Sequence, residues 1–339
     1  MYRHEVVAKV YRGEGLESVH HGAVAVVNAA GELTHYVGDP EFFTQARSEA
    51  KPFQLIPLIR SGAADYYNFS DQQLAIMCGS HIGTAEHVAT AGSNLAAVGL
   101  DESFLKCGTH PPLYYGVQKR MPRANEVFSP LQNNCSGKHS GFLALAQFLR
   151  EDPRQYLDPS GRVQQLVLEA VSELYGYPKD KITIGIDGCS APVFGMPMRH
   201  AAIAFARLAN QISEDPATRT ALARIQRAMT THPEMVSGEG RFDLALARTF
   251  PGNVVNKVGA EGIEGMGFSD PAIGIAVKIL DGNERALYPV AIEVLRQLGL
   301  LEKAERTHLQ PFVLPEITNN RNLTVGRIVP DFELKKVGS

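Results

Sequence analysis

Cysteine is scarce in this chain. Cys78, Cys107, Cys135 and Cys189 are the four present in 339 residues, and they stand far apart. So few thiols in a chain of this size exclude a disulfide scaffold, and a reducing cytoplasm is the expected location. Long apolar runs are also missing, so no bilayer-spanning segment is expected. The start, Met1-Tyr2-Arg3-His4-Glu5, is polar and no apolar core follows it, so no signal peptide is expected. Charge of one sign is absent too: the net charge is −3 and no basic run stands out, which leaves no footprint for nucleic acid. The eleven histidines include no His-Glu-x-x-His metal pair. No Gly-x-x-x-x-Gly-Lys-Ser/Thr loop is present, which excludes nucleotide hydrolysis by that route.

What is there has the composition of an ordinary soluble protein, long enough for two domains or one large one. Val6 to Tyr11, Ala23 to Val27 and Leu33 to Val37 read as strands, with Asn28-Ala29-Ala30-Gly31 as a hairpin turn. From Asp71 to about Tyr175 the signals are mostly helical, clearest over Ser140 to Leu149 and Val163 to Leu174. Lys181 to Ile186, Val254 to Val258, Ile273 to Ile279 and Val325 to Val329 read as strands. Ala201 to Ala209, Ala217 to Met229 and Ala286 to Leu298 read as helices. Strands near both ends with helices between predict a mixed α/β (α+β) fold, a sheet flanked by helices and interrupted by a helical region. The expected division is a sheet domain from residues 1–60 and 180–339, with residues 61–179 mainly helical.

The segment Ser48-Glu49-Ala50-Lys51 carries the first chemical signal. Spacing i, i+3 puts hydroxyl and amine on one helical face. A serine is a poor nucleophile until a base takes its proton, and lysine is such a base once burial or a nearby cation lowers its pKa. About one Ser-x-x-Lys is expected by chance in a chain of this length, and Ser103-Phe104-Leu105-Lys106 is a second. There the following Cys107 to Pro112 leaves no room for a helix, whereas Pro52 after Lys51 suits a first helical turn. The plainer reading makes Ser48 an N-cap.

Five other segments are rich in polar or reactive groups. Asn133-Asn134-Cys135-Ser136-Gly137-Lys138-His139 precedes an apolar helix whose N-terminal donors would suit a developing oxyanion. Asp187-Gly188-Cys189-Ser190 is a second polar loop with a cysteine; Cys135 and Cys189 are compatible with a shared metal, a disulfide or neither. Gly79-Ser80-His81 breaks an apolar run, and Lys257-Val258-Gly259 lies on a predicted strand like the Lys-Thr-Gly of penicillin-recognising enzymes. Thr231 to Asp243 reads as a substrate loop or an irregular connection.

Together these segments, with Arg47 to Gln54, Ser61 to Asp65, Gly185 to Pro192, His232 to Met235 and Lys257 to Gly262, resemble the L-asparaginase II family in the expected order. The resemblance implies a serine β-lactamase/glutaminase-like fold, usually as a homodimer, and hydrolysis of L-asparagine to L-aspartate and ammonia. It implies two Ser-Lys pairs, Ser48 with Lys51 and Ser80 with Lys257. It implies zinc on Cys135, Lys138 and Cys189, with Arg47, His139 and Asp187 as substrate-binding neighbours. Two stretches depart from the family pattern: Ile82-Gly83-Thr84 follows Ser80-His81 where a polar residue, glycine and glutamate are usual, and Gln132 stands where histidine is common. The alternatives are a penicillin-interacting hydrolase or esterase on the same fold, and a non-catalytic amino-acid or metal-binding protein.

Overall fold

Ala23-Val24-Ala25-Val26-Val27 is apolar on both faces, and the two faces meet different cores. Ala23, Ala25 and Val27 belong to one buried cluster, Val24 and Val26 to another. A strand with no solvent face must lie inside a sheet covered on both sides. The computed structural model, which describes residues 4–338, has that architecture. The first three residues of the polar start lie outside the described residues.

The strands in chain order are β1 (Glu5–Arg12), β2 (Gly15–Asn28), β3 (Leu33–Val37), β4 (Phe43–Gln45), β5 (Thr183–Ile186) and β6 (Pro192–Pro197). They continue as β7 (Val254–Gly259), β8 (Ile263–Phe268), β9 (Ile273–Ile279), β10 (Glu316–Thr318), β11 (Thr324–Pro330) and β12 (Lys335–Lys336). Nine form one sheet in the order β10-β11-β1-β2-β9-β8-β7, with β3 beside β2 and β12 beside β3. All its pairings are antiparallel; Ala25 stands opposite Ala276 and Val26 opposite Ile275. A smaller sheet, β4-β6-β5, stands apart.

One face of the large sheet carries the helix Glu284–Gln297, which buries Leu287, Val290, Val294 and Leu295. The other carries the helix Arg199–Asn210 at unusually short range. A Cβ on Gly274 would run into the Ala202 carbonyl, and one on Gly267 into the Phe205 carbonyl. Glycine is required at these positions because helix backbone occupies the space a side chain would need. Beyond this helix lie Asp71–Met77, Ala85–Ala97, Ser136–Leu149, Arg162–Tyr175 and Pro216–Thr231, sharing one core with it. The structure is therefore the expected mixed α/β fold.

Leu33–Val37 and Ile273–Ile279 have the bounds the sequence predicts. The predicted strand from Lys181 starts later, at Thr183, because Lys179–Lys181 forms a 3₁₀ turn. β6 and β8 were not legible: Pro192–Pro197 follows a loop-like segment, and β8 reads Ile-Glu-Gly-Met-Gly-Phe, with two glycines inside a fully buried strand. Ser48 is not an N-cap. It lies inside a 3₁₀ turn, Arg47–Ala50, whose cap position is Ala46. Asn133 to His139 is not wholly a loop either, since the helix starts at Ser136.

The contact at Gly274 gives a direct check on this packing. Gly274→Ala is expected to destabilise the protein by about 1–3 kcal/mol through overpacking. Denaturant unfolding would measure it, and an unchanged midpoint would contradict the described helix–sheet contact.

Candidate active site

Lys51 is the centre of the site. It follows the 3₁₀ turn Arg47–Ala50 and opens the short helix Lys51–Gln54. Pro52 is accommodated in the first turn, where its missing donor has no intrahelical acceptor. The Lys51 side chain is 1% exposed. Its amine donates to the Gly79 carbonyl at 2.6 Å, to Ser80 Oγ at 2.8 Å and to the Asn134 carbonyl at 3.2 Å. An ammonium has three donors, and here each has an acceptor. Burial pushes the Lys51 pKa down to about 8, with Lys138 and Lys257 adding to the effect and Cys135 and Cys189 opposing it.

Local packing explains why three distant segments meet there. Gly79 and Ser80 leave the helix Asp71–Met77 in an extended stretch held by Ser80 N–H to the Val236 carbonyl at 2.7 Å. Asn134 precedes the helix Ser136–Leu149, whose first turn presses against the end of Asp71–Met77. A Cβ on Gly137 would meet the Ile76 carbonyl, so only glycine permits the approach. Asn133 fixes the entry by accepting the Cys135 N–H at 2.8 Å and donating to the Cys107 carbonyl at 3.0 Å.

The two serines differ in setting. Ser80 is 5% exposed and bonded to Lys51. Ser48 is half-buried, and among the described residues its hydroxyl has no hydrogen-bond partner. Lys257, fully buried on β7, does not hydrogen-bond to Ser80. It contacts Asp243 Oδ2 at 3.4 Å and donates to the Val258 carbonyl at 2.6 Å. The lysine contact made by Ser80 is thus with Lys51 rather than with Lys257.

Beside Lys51 lies a sulfur–amine group. Lys138 Nζ donates to Cys189 Sγ at 3.0 Å, and Cys135, Lys138 and Cys189 are all buried. No disulfide joins the cysteines. The neighbouring Cys189, with Lys51 and Lys138 near, holds the Cys135 pKa well below the usual thiol range. The Cys189 thiol moves the other way, through Cys135 beside it and through burial. Burial works against a charged Lys138, but the two sulfurs keep its pKa above the ordinary lysine value. Among the described residues no three His, Cys, Asp or Glu side chains converge on a metal-sized site. Two sulfurs and an amine nevertheless make a donor set that suits zinc, once the lysine is neutral.

Arg47 and Asp187 close the exposed side. Arg47 adopts φ +53° and donates to Asp187 Oδ1 through Nε at 3.0 Å and Nη2 at 2.9 Å. Burial opposes the Asp187 charge, yet Lys138 and Arg47 hold its pKa below the usual value. His139 is fully buried, with Nδ1 at 2.6 Å from the Tyr156 hydroxyl and Nε2 unpartnered. Burial, Lys138 and Lys51 push its pKa well down. The residues proposed from sequence therefore fall in one region around Lys51, Lys138 and the Arg47–Asp187 pair.

Several participants had no sequence role assigned. Glu49 is fully buried and accepts a hydrogen bond from the Tyr175 hydroxyl at 2.8 Å, while its Oε1 has no partner. Burial pushes its pKa up to about 8, against the opposing effects of Tyr175 and Lys257. The partner stands 126 residues away, so no local pattern signals the pair. His81 stacks on His87 at 5.0 Å and contacts Ser136 Oγ through Nε2 at 2.9 Å. Asp243 sits in a helix, Phe242–Thr249, where the sequence suggested a loop. Ile82, Thr84 and Gln132, the departures noted above, line a cavity of about 710 Å³ that adjoins Ser80 along the chain.

The family model described as L-asparaginase II matches residues 8–330. No curated protein matches the chain. Among solved structures it is similar to Mglu in its native form, at 15% identity and a TM-score of 0.44, covering 85% of this chain and 65% of that one. It is similar to a β-lactamase from Mycobacterium bovis, at 15% identity and a TM-score of 0.39, covering 81% of this chain and 94% of that one. It is also similar to EstCE1, a hydrolase with promiscuous acyltransferase activity, at 11% identity and a TM-score of 0.38, covering 91% and 93%. The chain spans 65% of the length of Mglu.

The Glu49 environment yields a pH test. Its folded pKa lies above the ordinary carboxylate value. Its contribution to stability is therefore complete below that ordinary value and is lost as pH rises through about 8. In this window the unfolding free energy should fall by on the order of 1 kcal/mol per pH unit from this group. Glu49→Gln, measured by denaturant unfolding from pH 5 to 8, is expected to flatten that slope. An identical slope in the variant would contradict a neutral, buried Glu49.

Proposed function

This chain belongs to the L-asparaginase II family, and from that premise we propose that it is an L-asparaginase working through a serine ester. The family makes it an amidohydrolase; the choice of L-asparagine and the Ser-Lys chemistry are the proposal. The supporting observation is the buried Lys51 amine, its pKa lowered to about 8, in contact with Ser80 and three residues on from Ser48.

In the proposed sequence Lys51, neutral, takes the Ser48 proton. Ser48 Oγ attacks the side-chain amide carbon of L-asparagine, and backbone N–H groups at the start of the 3₁₀ turn stabilise the oxyanion. The intermediate collapses as the carbon–nitrogen bond breaks, and the leaving nitrogen receives a proton passed from Lys51 through Ser80. Ammonia departs and a β-aspartyl ester remains on Ser48. Water, deprotonated by Lys51, attacks the ester carbon; L-aspartate leaves and Ser48 regains its proton. Lys257 supports this relay as a nearby buried cation. Arg47 and Asp187, paired with each other, would exchange that contact for the α-carboxylate and α-amino groups of the substrate. His139, fully buried with its Nδ1 at the Tyr156 hydroxyl, would act in a supporting role beside Lys138.

Cys135, Lys138 and Cys189 would hold zinc, which would supply a Lewis-acid centre beside the substrate. A homodimer and a cytoplasmic location complete the reading. Glutamine differs from asparagine by one methylene, which a pocket discriminates by about 1–3 kcal/mol. A second order of events is favoured by the 2.8 Å contact to Lys51: Ser80 attacks first and Ser48 assists.

Ammonia release from L-asparagine tests the activity. Ser48→Ala is expected to lower kcat by about 10³-fold or more with the fold intact. A folded Ser48→Ala within tenfold of wild type would overturn Ser48 as the nucleophile, and inactive wild type with bound zinc would overturn the activity. Cys189→Ser is expected to lose most bound zinc by elemental analysis while the chain stays folded. Undiminished zinc would remove Cys189 from the ligand set.

A further inference from the structure

We propose that Asp243 is a positioning residue for the reaction: it holds Lys257 in place and balances its charge inside the fold. The inference rests on the reading of Lys257 given above.

Asp243 and Lys257 are among the most deeply buried ionic groups in the protein, with side chains 2% and 0% exposed. Their contact, at 3.4 Å, leaves Asp243 Oδ1 free for other donors. That oxygen accepts the Val258 N–H at 3.2 Å and Asn256 Nδ2 at 3.3 Å. One carboxylate therefore grips three consecutive residues of β7, with Lys257 in the middle. The lysine makes one further hydrogen bond, to the Val258 carbonyl. The grip spans two elements, because Asp243 lies in the first turn of the helix Phe242–Thr249. Its backbone is fixed in turn by the packing of Phe242 against Tyr288, with ring centroids 4.6 Å apart.

Two other buried carboxyl groups act on Lys257 electrostatically, and neither replaces Asp243. Glu264 bonds to Asn256 Nδ2 through Oε1 at 3.2 Å, and its Oε2 has no partner. Glu49 bonds to Tyr175. Among the described residues neither contacts the Lys257 amine, and burial pushes both toward the neutral form. Asp243 is the group left to compensate the ammonium. A buried charge that loses its partner is strongly destabilised, whereas replacing both members by neutral groups is often harmless. Asp243 is thus expected to matter only while Lys257 is present.

That dependence is the test. Asp243→Asn, Lys257→Met and the double variant would be compared with wild type for kcat, KM and thermal midpoint. Asp243→Asn is expected to lower kcat about 10²-fold or more with little change in KM, and the double variant to be no slower than Lys257→Met alone. The double variant should also melt higher than Asp243→Asn. If Asp243→Asn does not fold, recovery of the fold by adding Lys257→Met supports the inference, and no recovery overturns it. Effects on kcat that multiply, or a folded Asp243→Asn with wild-type kcat beside an inactive Lys257→Met, overturn the inference alone. Wild-type kcat in Lys257→Met overturns the role of Lys257 and the inference with it.

Discussion

The burial of the Lys51 amine is the constraint on which the rest of the site depends. An ammonium taken out of water costs several kcal/mol unless its donors are met. Here the acceptors come from Gly79, Ser80 and Asn134, on two segments remote from Lys51 in the chain. The chain must bring the end of one helix and the start of another onto one point. Gly137 lets the helices touch, and the Ser80–Val236 backbone bond holds the extended stretch between them. The geometry of the candidate site is in this sense the solution to a solvation problem.

Charge balance follows from the same burial. Lys51, Lys138 and Lys257 lie close enough for their charges to act on one another. Three cations in the interior need anions, and the structure provides them unequally. The Cys135 thiol is pushed toward its thiolate beside Lys51 and Lys138. Asp243 faces Lys257. Glu49 and Glu264, which make no direct cationic contact among the described residues, are pushed toward neutrality. Lys51 is moved clearly below the ordinary lysine range, because burial and two like charges outweigh the neighbouring sulfurs. That places beside Ser80 an amine able to give up its proton, the property a base needs near neutral pH.

Much of the fold was legible from period and turn chemistry. Leu33–Val37 and Ile273–Ile279 carry dense β-branched or aromatic residues between turn signals, and Arg162–Tyr175 is amphipathic with a glycine stop. β8 was hidden because its glycines answer to the helix packed on it, not to strand propensity. In the site, the residues proposed for the chemistry were visible as motifs. Their pairing was not: i, i+3 spacing joins Ser48 to Lys51, while the amine bonds to Ser80, 29 residues on. Glu49–Tyr175 and Asp243–Lys257 are tertiary contacts between elements, and no local spacing encodes them.

The most direct measurement is the titration of Lys51 itself, by NMR of lysine labelled at Cε, in folded protein of known zinc content, with Lys51→Met to assign the signal. The account requires a pKa near 8. A value at or above the ordinary lysine pKa of 10.5 would mean that Lys51 is a structural ammonium, and the proposed base would have to be sought elsewhere.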